Sequence, residues 1–413
     1  MMKRPEILSP AGDFEKLRSA VYFGADAVYL AGKAFGMRAA SGNFSDEELK
    51  EAVEYCHARG VKLYVTVNIM PRDGEYPKLR EFLCYLEKIG VDAAIMSDIG
   101  VVALSRECAP ELEIHISTQA STVSTAACKA WAALGAKRIV LARELSLEAV
   151  KRIRKELPED IEIECFVHGS MCIAYSGRCL LSQYYVGRDA NRGACAQPCR
   201  WIYGAKELHI AEEKREDEIL PMYEDGGETF VMSSKDMCMI EHIPELVEAG
   251  ISSFKLEGRV RSAYYTAVVT NTYKMALDSY MADPENYKYD PMWGRELNSV
   301  SHREYGCGFF FNDPREDANI VSEPGYLREK AYLATAVEGC EAGGVATFVQ
   351  RNKLVDGQSV ELLTRMHVGI PFTAEGLANE KDEPIPSAPH PGMLFKLRCP
   401  VKVSAGDILR GGE

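Results

Sequence analysis

The chain has 413 residues, 46% of them hydrophobic and 26% charged, with a formal net charge of −13 and a pI near 5.3. That length calls for two or more domains with ample core material, and the acidic balance argues against broad, nonspecific nucleic-acid binding while leaving room for a local basic groove. No run of about 18 apolar residues occurs and MMKRPEILSPAGDFEK holds no signal-peptide core, so a cytoplasmic protein without a membrane partner is expected, in which the thirteen cysteines, an odd number, stay reduced.

Short apolar runs alternate with helical patterns from the start. Eight candidate strands fall at residues 6–9, 27–31, 62–68, 93–97, 113–118, 138–142, 162–167 and 252–256. They are apolar or β-branched, the pattern of strands buried on both faces. Helices lie between them. Residues 14–23 follow Asp13, a candidate N-cap, and stop at Gly24. Ser45, with Glu48 three residues on, forms a capping box for DEELKEAVEYCHARG. Helical patterns at 79–89 and 122–134 stop at Gly90 and Gly135, Ser146 opens LEAVKRIRKEL, and 244–249 stops at Gly250. Helix, glycine, short gap and strand is the mark of βα units. The expected fold class is α/β, a closed (β/α)8 TIM-like barrel over residues 1–283. An open doubly wound sheet is disfavoured because no G-x-G-x-x-G follows a strand. A barrel carries its chemistry at the C-terminal ends of its strands. The polar residues there are Ser9, Asn68, Asp98, Gln119, Arg143, Glu144, His168, Glu257 and Arg259.

Residues 169–250 form a long insertion after the seventh strand, which is usually functional at that face. It carries the cysteines, then residues 207–211 and 229–233, which are expected to pair as a small sheet. Residues 262–281 are a long helix that closes the barrel. Residues 284–329, rich in Pro, Asp, Asn and Gly, read as an irregular connector. From residue 330 to 413 the pattern turns to period two with glycine turns, which predicts a small C-terminal β-barrel domain.

Cys172, Cys179, Cys195 and Cys199 are separated by gaps of six, fifteen and three residues. Structural zinc favours C-x2–4-C knuckles, and only Cys195 and Cys199 fit one. The wide gaps suit an iron–sulfur cluster, whose perimeter needs ligands from separated turns. Cys238 competes with Cys199 for the fourth place. Zinc is the alternative, and can replace a lost cluster in purified material. His168 is a candidate proton donor or substrate contact. Arg143, Arg259 and Arg261 are candidate anion forks, or else ion-pair partners of Glu144 and Glu257. Tyr175, Tyr184, Tyr185, Trp201 and Tyr203 either shield the cysteines or stack on a nucleobase. No G-x-S-x-G elbow, H-E-x-x-H helix or Walker loop is present.

The runs HGSMCIAYSGRCLLS, NRGACAQPCRW, MSSKDMC and FKLEGRVRS resemble those of peptidase family U32, the collagenase-like proteins. The opening ILSPAGDFEKLRSAVYFGADAVYLAGKAFGMRA and the ending PHPGMLFKLRCPV…GDILR are similar to it as well, so the resemblance covers nearly the whole chain. The family label implies a peptidase. Some of its branches imply instead hydroxylation of tRNA wobble uridine at C5 by a prephenate-dependent route, of ribosomal RNA, or of ubiquinone, and this chain looks nearest the tRNA branch. The resemblance implies a cysteine-held iron–sulfur cluster of the 4Fe-4S type, with Cys172, Cys179 and Cys195 as ligands. Cys199 would be the fourth in the tRNA-like pattern, and Cys238 in the ubiquinone-like one. The implied partners are tRNA, a prephenate-derived hydroxyl donor and a second protein of the same family. Three readings follow: an RNA hydroxylase with a basic patch at Arg178, Arg188, Arg192 and Arg200, a protease, and a non-catalytic scaffold subunit holding a cluster or zinc.

Overall fold

The computed structural model describes residues 3–37, 42–172, 174–175, 178–203, 223–225, 228–230, 234–312 and 326–411. Eight parallel strands form its centre: β1 (Glu6–Pro10), β2 (Ala27–Leu30), β3 (Lys62–Val67), β4 (Ala93–Met96), β5 (Glu113–Ile116), β6 (Arg138–Val140), β7 (Glu162–Ser170) and β8 (Ser253–Leu256). Each pairs with the next, and β8 pairs with both β7 and β1, so the sheet closes into the expected barrel. Helices α1 (Phe14–Tyr22), α2 (Asp46–His57), α3 (Tyr76–Lys88), α4 (Ile99–Cys108), α5 (Thr125–Ala133) and α6 (Leu147–Glu156) fill the first six crossovers. Their apolar stripes and the outward faces of the strands make one continuous core. The Ser45–Glu48 capping box is formed.

Helix α4 has no counterpart in the sequence reading. Its start, IGVV, joins a glycine to β-branched residues of low helix propensity. Tertiary packing of Val101 and Val102 and the Asp98 side chain, which accepts from the amide of Val101, stabilise it. Asp98 is therefore a helix cap.

The cysteine segment leaves the top of β7 and carries a short helix, α7 (Leu181–Val186). A small antiparallel sheet joins Ile202–Tyr203, Glu228–Phe230 and Tyr223–Asp225. Thus residues 229 and 230 are in the strand expected there, and the expected strand at 207–211 lies outside the described residues. The chain returns as a strand, Asp236–Cys238, antiparallel to the outer half of β7. Helix α8 (Ile243–Glu248) leads into β8, and α9 (Ala263–Ala282) closes the ring. The segment expected to be an irregular connector holds a helix, α10 (Pro291–Asn298), and a strand, Tyr305–Gly306, which pairs with Asp236–Cys238. Pro291 sits in the first turn, where its missing N–H costs nothing. Trp293 and Leu297 then bury into the barrel's outer core. Reading Pro and Asp as loop residues missed their use at a helix start, as Pro291 and its N-cap Asp290.

The C-terminal residues form a six-stranded antiparallel sheet of β9 (Ala331–Glu338), β10 (Val345–Gln350), β11 (Gln358–Leu363), β12 (Ile370–Ala374), β13 (Leu394–Arg398) and β14 (Ile408–Gly411), with its own core. The spatial order is β12-β11-β14-β9-β10-β13, and the chain just past β12 returns to β13 through an Ala378–Lys396 bridge, which curls the sheet toward closure. Arg410 of β14, 1% exposed, reaches Glu296 of α10 at 2.6 Å and Glu361 of β11 at 2.7 Å, tying this sheet to the barrel. Among the described residues no helix is long and apolar enough to cross a membrane.

Candidate active site at the barrel mouth

The barrel interior is charged where the sequence pattern suggested an apolar filling. Arg138 lies between Glu6 at 2.7 Å, Glu162 at 2.6 Å and Glu164 at 3.2 Å. The other oxygen of Glu164 takes the Lys255 ammonium at 2.5 Å. Burial pushes the Glu164 carboxyl up, but Lys255 and Arg138 outweigh it and hold it below the usual carboxylate range. Burial also pulls the Lys255 ammonium down, against the opposing pull of Glu164. Lys255 Nζ stands 4.5 Å from the Tyr29 ring centroid and 5.4 Å from that of Phe166.

Above this network a cavity opens at the C-terminal ends of the strands. Of the nine expected polar groups, Asn68, Gln119, Glu257 and Arg259 line it. Thr66, Ser117, Tyr29, Phe166 and Lys255 complete most of its wall, none of them singled out in the sequence. Ser117 Oγ accepts from Asn68 Nδ2 at 3.1 Å and from the Gln119 amide at 3.2 Å. Arg259 donates to Thr66 Oγ1 at 3.2 Å and to the Met37 carbonyl. Gln119 Oε1 and, beyond the cavity wall, Glu144 Oε2 are buried with no hydrogen-bond partner among the described residues. Arg143 donates to the Ser170 carbonyl at 2.9 Å with its guanidinium 5.3 Å from the Phe166 centroid, at the start of the cysteine segment. Arg261 holds Ser170 from the other side, donating to its Oγ at 3.1 Å and to Asp236 at 3.2 Å. Ser9 faces outward and bonds Thr270 of α9 at 2.8 Å.

His168 is not part of this cavity. Lys255 pairs with Phe166 and the next residue, Leu256, with His168, so Val167 is an extra residue in β7. That bulge reverses the alternation. Phe166 faces the cavity, whereas His168 packs outward among Tyr265, Tyr273 and Tyr305, with ring centroids 5.4–6.0 Å apart. Gly169 follows with φ 105°, and a side chain there would meet the Glu257 carbonyl at 2.5 Å. Burial lowers the His168 imidazole to about 3, so it is neutral at ordinary pH. The unfolded imidazole titrates near about 6.5. Its contribution to stability is therefore whole above pH 6.5 and is lost as pH falls toward 3. At pH 5 the loss amounts to about 2 kcal/mol. Urea midpoints of the wild type and of His168→Phe, taken at pH 7.5 and pH 5, check this: the variant should fall less on acidification, and equal falls would count against it.

The four clustered cysteines differ in their setting from the buried Cys56, Cys128, Cys165 and Cys399. Burial pushes the thiols of Cys56 and Cys399 up to about 12 and that of Cys128 up to about 11, as expected of packing residues. Cys172 is exposed, and Cys179, Cys195 and Cys199 are half-buried. The Gln197 amide donates to Cys195 Sγ at 3.3 Å. The Cys179 amide and carbonyl both bond the Asn191 side chain, and the Ala196 amide bonds Ser182 Oγ at 3.0 Å, which folds the two halves of the segment together. Cys238 stands opposite His168, within the paired length of β7, whereas Cys172 lies beyond the end of that strand at Ser170. It packs near Tyr273 and Cys307, and burial pushes its thiol up to about 12. Among the described residues no three Cys, His, Asp or Glu side chains are grouped to hold a metal ion. The donor chemistry nonetheless fits a metal group: accessible thiols on irregular backbone with an N–H aimed at sulfur.

Of the aromatic residues of this segment, Trp201 is half-buried and donates its indole N–H to the Ala196 carbonyl at 2.9 Å, and the Tyr203 side chain lies outside the described residues. Tyr184 is 83% exposed and Tyr175 and Tyr185 about half. Arg178 and Arg188 are exposed, whereas Arg192 is bound to Glu75 at 2.8 Å, and the Arg200 side chain lies outside the described residues.

Residues 12–320 match the model of peptidase family U32, and residues 328–410 match the model of its C-terminal domain. The chain belongs to peptidase family U32. Among relatives of this U32 protein, tRNA hydroxylation protein P1 of Bacillus subtilis is 36% identical over 411 residues, covering 100% of this chain and 96% of its own. The tRNA hydroxylation protein P of Escherichia coli is 37% identical, covering 97% and 94%. A protein named collagenase from Porphyromonas gingivalis is also similar, 32% identical with 83% and 82% covered.

Proposed function

We propose that this protein is an iron–sulfur-dependent tRNA-modifying enzyme that hydroxylates wobble uridine at C5. The observation that carries the reading is the polar cavity at the barrel mouth, bordered through Ser170 by the segment with four accessible thiols, in a chain similar over its whole length to proteins named for tRNA hydroxylation. Cys172, Cys179 and Cys195, with Cys199 or Cys238, would hold the cluster. When bound it would supply electron transfer or a binding point for the hydroxyl donor.

The chain's own groups suit the remaining tasks. A base must leave its stack to enter such a cavity, and Phe166 and Tyr29 offer it aromatic walls. Gln119 Oε1, buried and unpartnered among the described residues, suits the imide N–H of a uracil. Lys255 and Arg259 place positive charge in the wall, which suits a carboxylate-bearing donor such as one derived from prephenate. A peptidase has less support. Ser117 lines the cavity, but its oxygen is engaged by Asn68 and Gln119, and the residues lining the cavity include no imidazole.

The test is nucleoside analysis of bulk tRNA from a host lacking its own tRNA hydroxylation proteins, with and without this chain. Appearance of 5-hydroxyuridine-type nucleosides with the chain is the expected result. An unchanged profile under anaerobic and aerobic growth, with the protein expressed and iron-loaded, would refute it.

A further inference from the structure

Away from the mouth, two cavities run along the seam between the barrel and the C-terminal sheet. They share Tyr22 and Tyr55 in their walls, so they form one groove. It follows α1 from Glu15 and Ala263, on the mouth side, to residues 24–26 and 60–61 at the base of the barrel. The nine residues of α1 make that run about 13 Å long.

Its charge is opposite to that of the whole molecule. Five cations line it, Arg18, Arg59, Lys274, Arg351 and Arg365, against two carboxylates, Glu15 and Asp26. Both carboxylates are neutralised locally: Glu15 by Arg351 at 2.7 Å, and Asp26 by Arg4 at 2.8 Å and Lys274 at 3.7 Å. Among the described residues Arg18, Arg59 and Arg365 have no carboxylate partner. Arg59 also lies flat over the Tyr55 ring, 3.7 Å from its centroid, a half-exposed plane on which a base can stack. On a chain of net charge −13, a cationic groove with interleaved aromatic planes is the surface a polyanion is drawn to.

The upper end of the groove adjoins the mouth. Ala263 begins α9 directly after the loop that carries Glu257 and Arg259. Gly12, just before α1, lies so close to the Arg259 carbonyl that a side chain there would stand 2.2 Å from it.

We infer that this seam groove is a docking site for the RNA phosphodiester backbone, holding the substrate beside the barrel while a base enters the mouth. The inference rests on the tRNA-modifying reading for the identity of the RNA. It also gives the C-terminal domain a task, since the connections after β10 and β11 supply Arg351 and Arg365.

Fluorescence anisotropy with labelled tRNA, at several KCl concentrations and with the full-length protein, tests it. Arg59→Glu with Arg365→Glu should weaken binding about 10-fold or more and make the log–log salt slope shallower by about 1.5. Lys353→Glu, an exposed control outside the groove, should stay within about twofold of the wild type. If the double reversal fails to melt cooperatively, Arg18→Gln with Arg59→Gln replaces it and should give the same direction. A folded double variant with wild-type affinity and slope overturns the inference, as does tRNA binding no tighter than inorganic polyphosphate of equal charge. The two readings fail separately. Seam-dependent tRNA binding without any modified nucleoside sinks the hydroxylase alone. Nucleoside modification with seam-independent binding sinks the groove alone.

Discussion

Glu164→Ala should destabilise the barrel by about 3–5 kcal/mol, enough to leave much of the protein unfolded. The Glu164 side chain is fully buried, and among the described residues it is the only carboxylate within salt-bridge reach of Lys255. Arg138 keeps Glu6 and Glu162 after the change, so its loss is modest. Lys255 instead is left either charged and unpaired in the barrel or neutral at the cost of releasing its proton. The remedy follows from the same reasoning. Removing both charges, as Glu164→Leu with Lys255→Met, should recover most of the stability, because an apolar pair of similar volume bears no desolvation penalty. Thermal melts of the wild type, both single variants and the double variant give the coupling energy. Independent, additive losses would show that the buried pair does not hold the barrel together. The double variant also separates fold from function: Lys255 lines the cavity, so a stable double variant should still lose tRNA modification.

Cys179→Ser should abolish both bound iron and nucleoside formation while leaving the barrel folded. The residue sits half-buried on irregular backbone, held through its own amide and carbonyl by Asn191, so its side chain supports no packing core. Serine keeps its size and removes the soft donor. Cys172→Ser and Cys195→Ser should behave alike. Cys84→Ser, an exposed thiol on α3, should retain full iron and activity. Iron and sulfide analysis after anaerobic purification reads the result, and Cys199→Ser beside Cys238→Ser assigns the fourth thiolate. Retention of iron and activity by Cys179→Ser would remove the cluster from the proposal. Stoichiometric zinc without sulfide under strict anaerobiosis would do the same and bring the peptidase and scaffold readings forward.

The barrel was legible because its strands are apolar runs between helices that end in glycine, and both signals are local. The inside of the barrel was not. Glu162 and Glu164 alternate within β7, and Lys255 sits in a run otherwise read as apolar, yet Arg138, which pairs with both glutamates, lies on β6 and pairs again with Glu6 on β1, and Lys255 pairs with Glu164 from β8. A period of two within EIECF was the signal available. His168 shows a different kind of miss. Its position at a strand end suggested the mouth, but one bulged residue turned it into the tyrosine cluster, and only the neighbouring glycine hinted at irregular backbone. Asn68, Gln119, Glu257 and Arg259 were found because the ends of parallel strands converge on one face whatever the sequence between them.

The brace around the cysteine segment has a bearing on how the protein is made. β7 is paired on its outer half by Asp236–Cys238, which is paired in turn by Tyr305–Gly306, and Arg303 binds Asp236 at 2.6 Å. On the ribosome, the four clustered thiols emerge before any of these partners. At about 5–20 residues per second, Cys172 waits on the order of 3–13 s for Asp236–Cys238, the strand that braces its anchor, and Cys199 waits on the order of 5–20 s for Tyr305–Gly306 behind it. β8, which closes the barrel against β1, also arrives in that interval. A nascent chain thus presents naked thiols to cellular oxidants and stray metals before the pocket beneath them exists. If these thiols hold the proposed cluster, faithful loading favours its delivery after release, onto a barrel already shut.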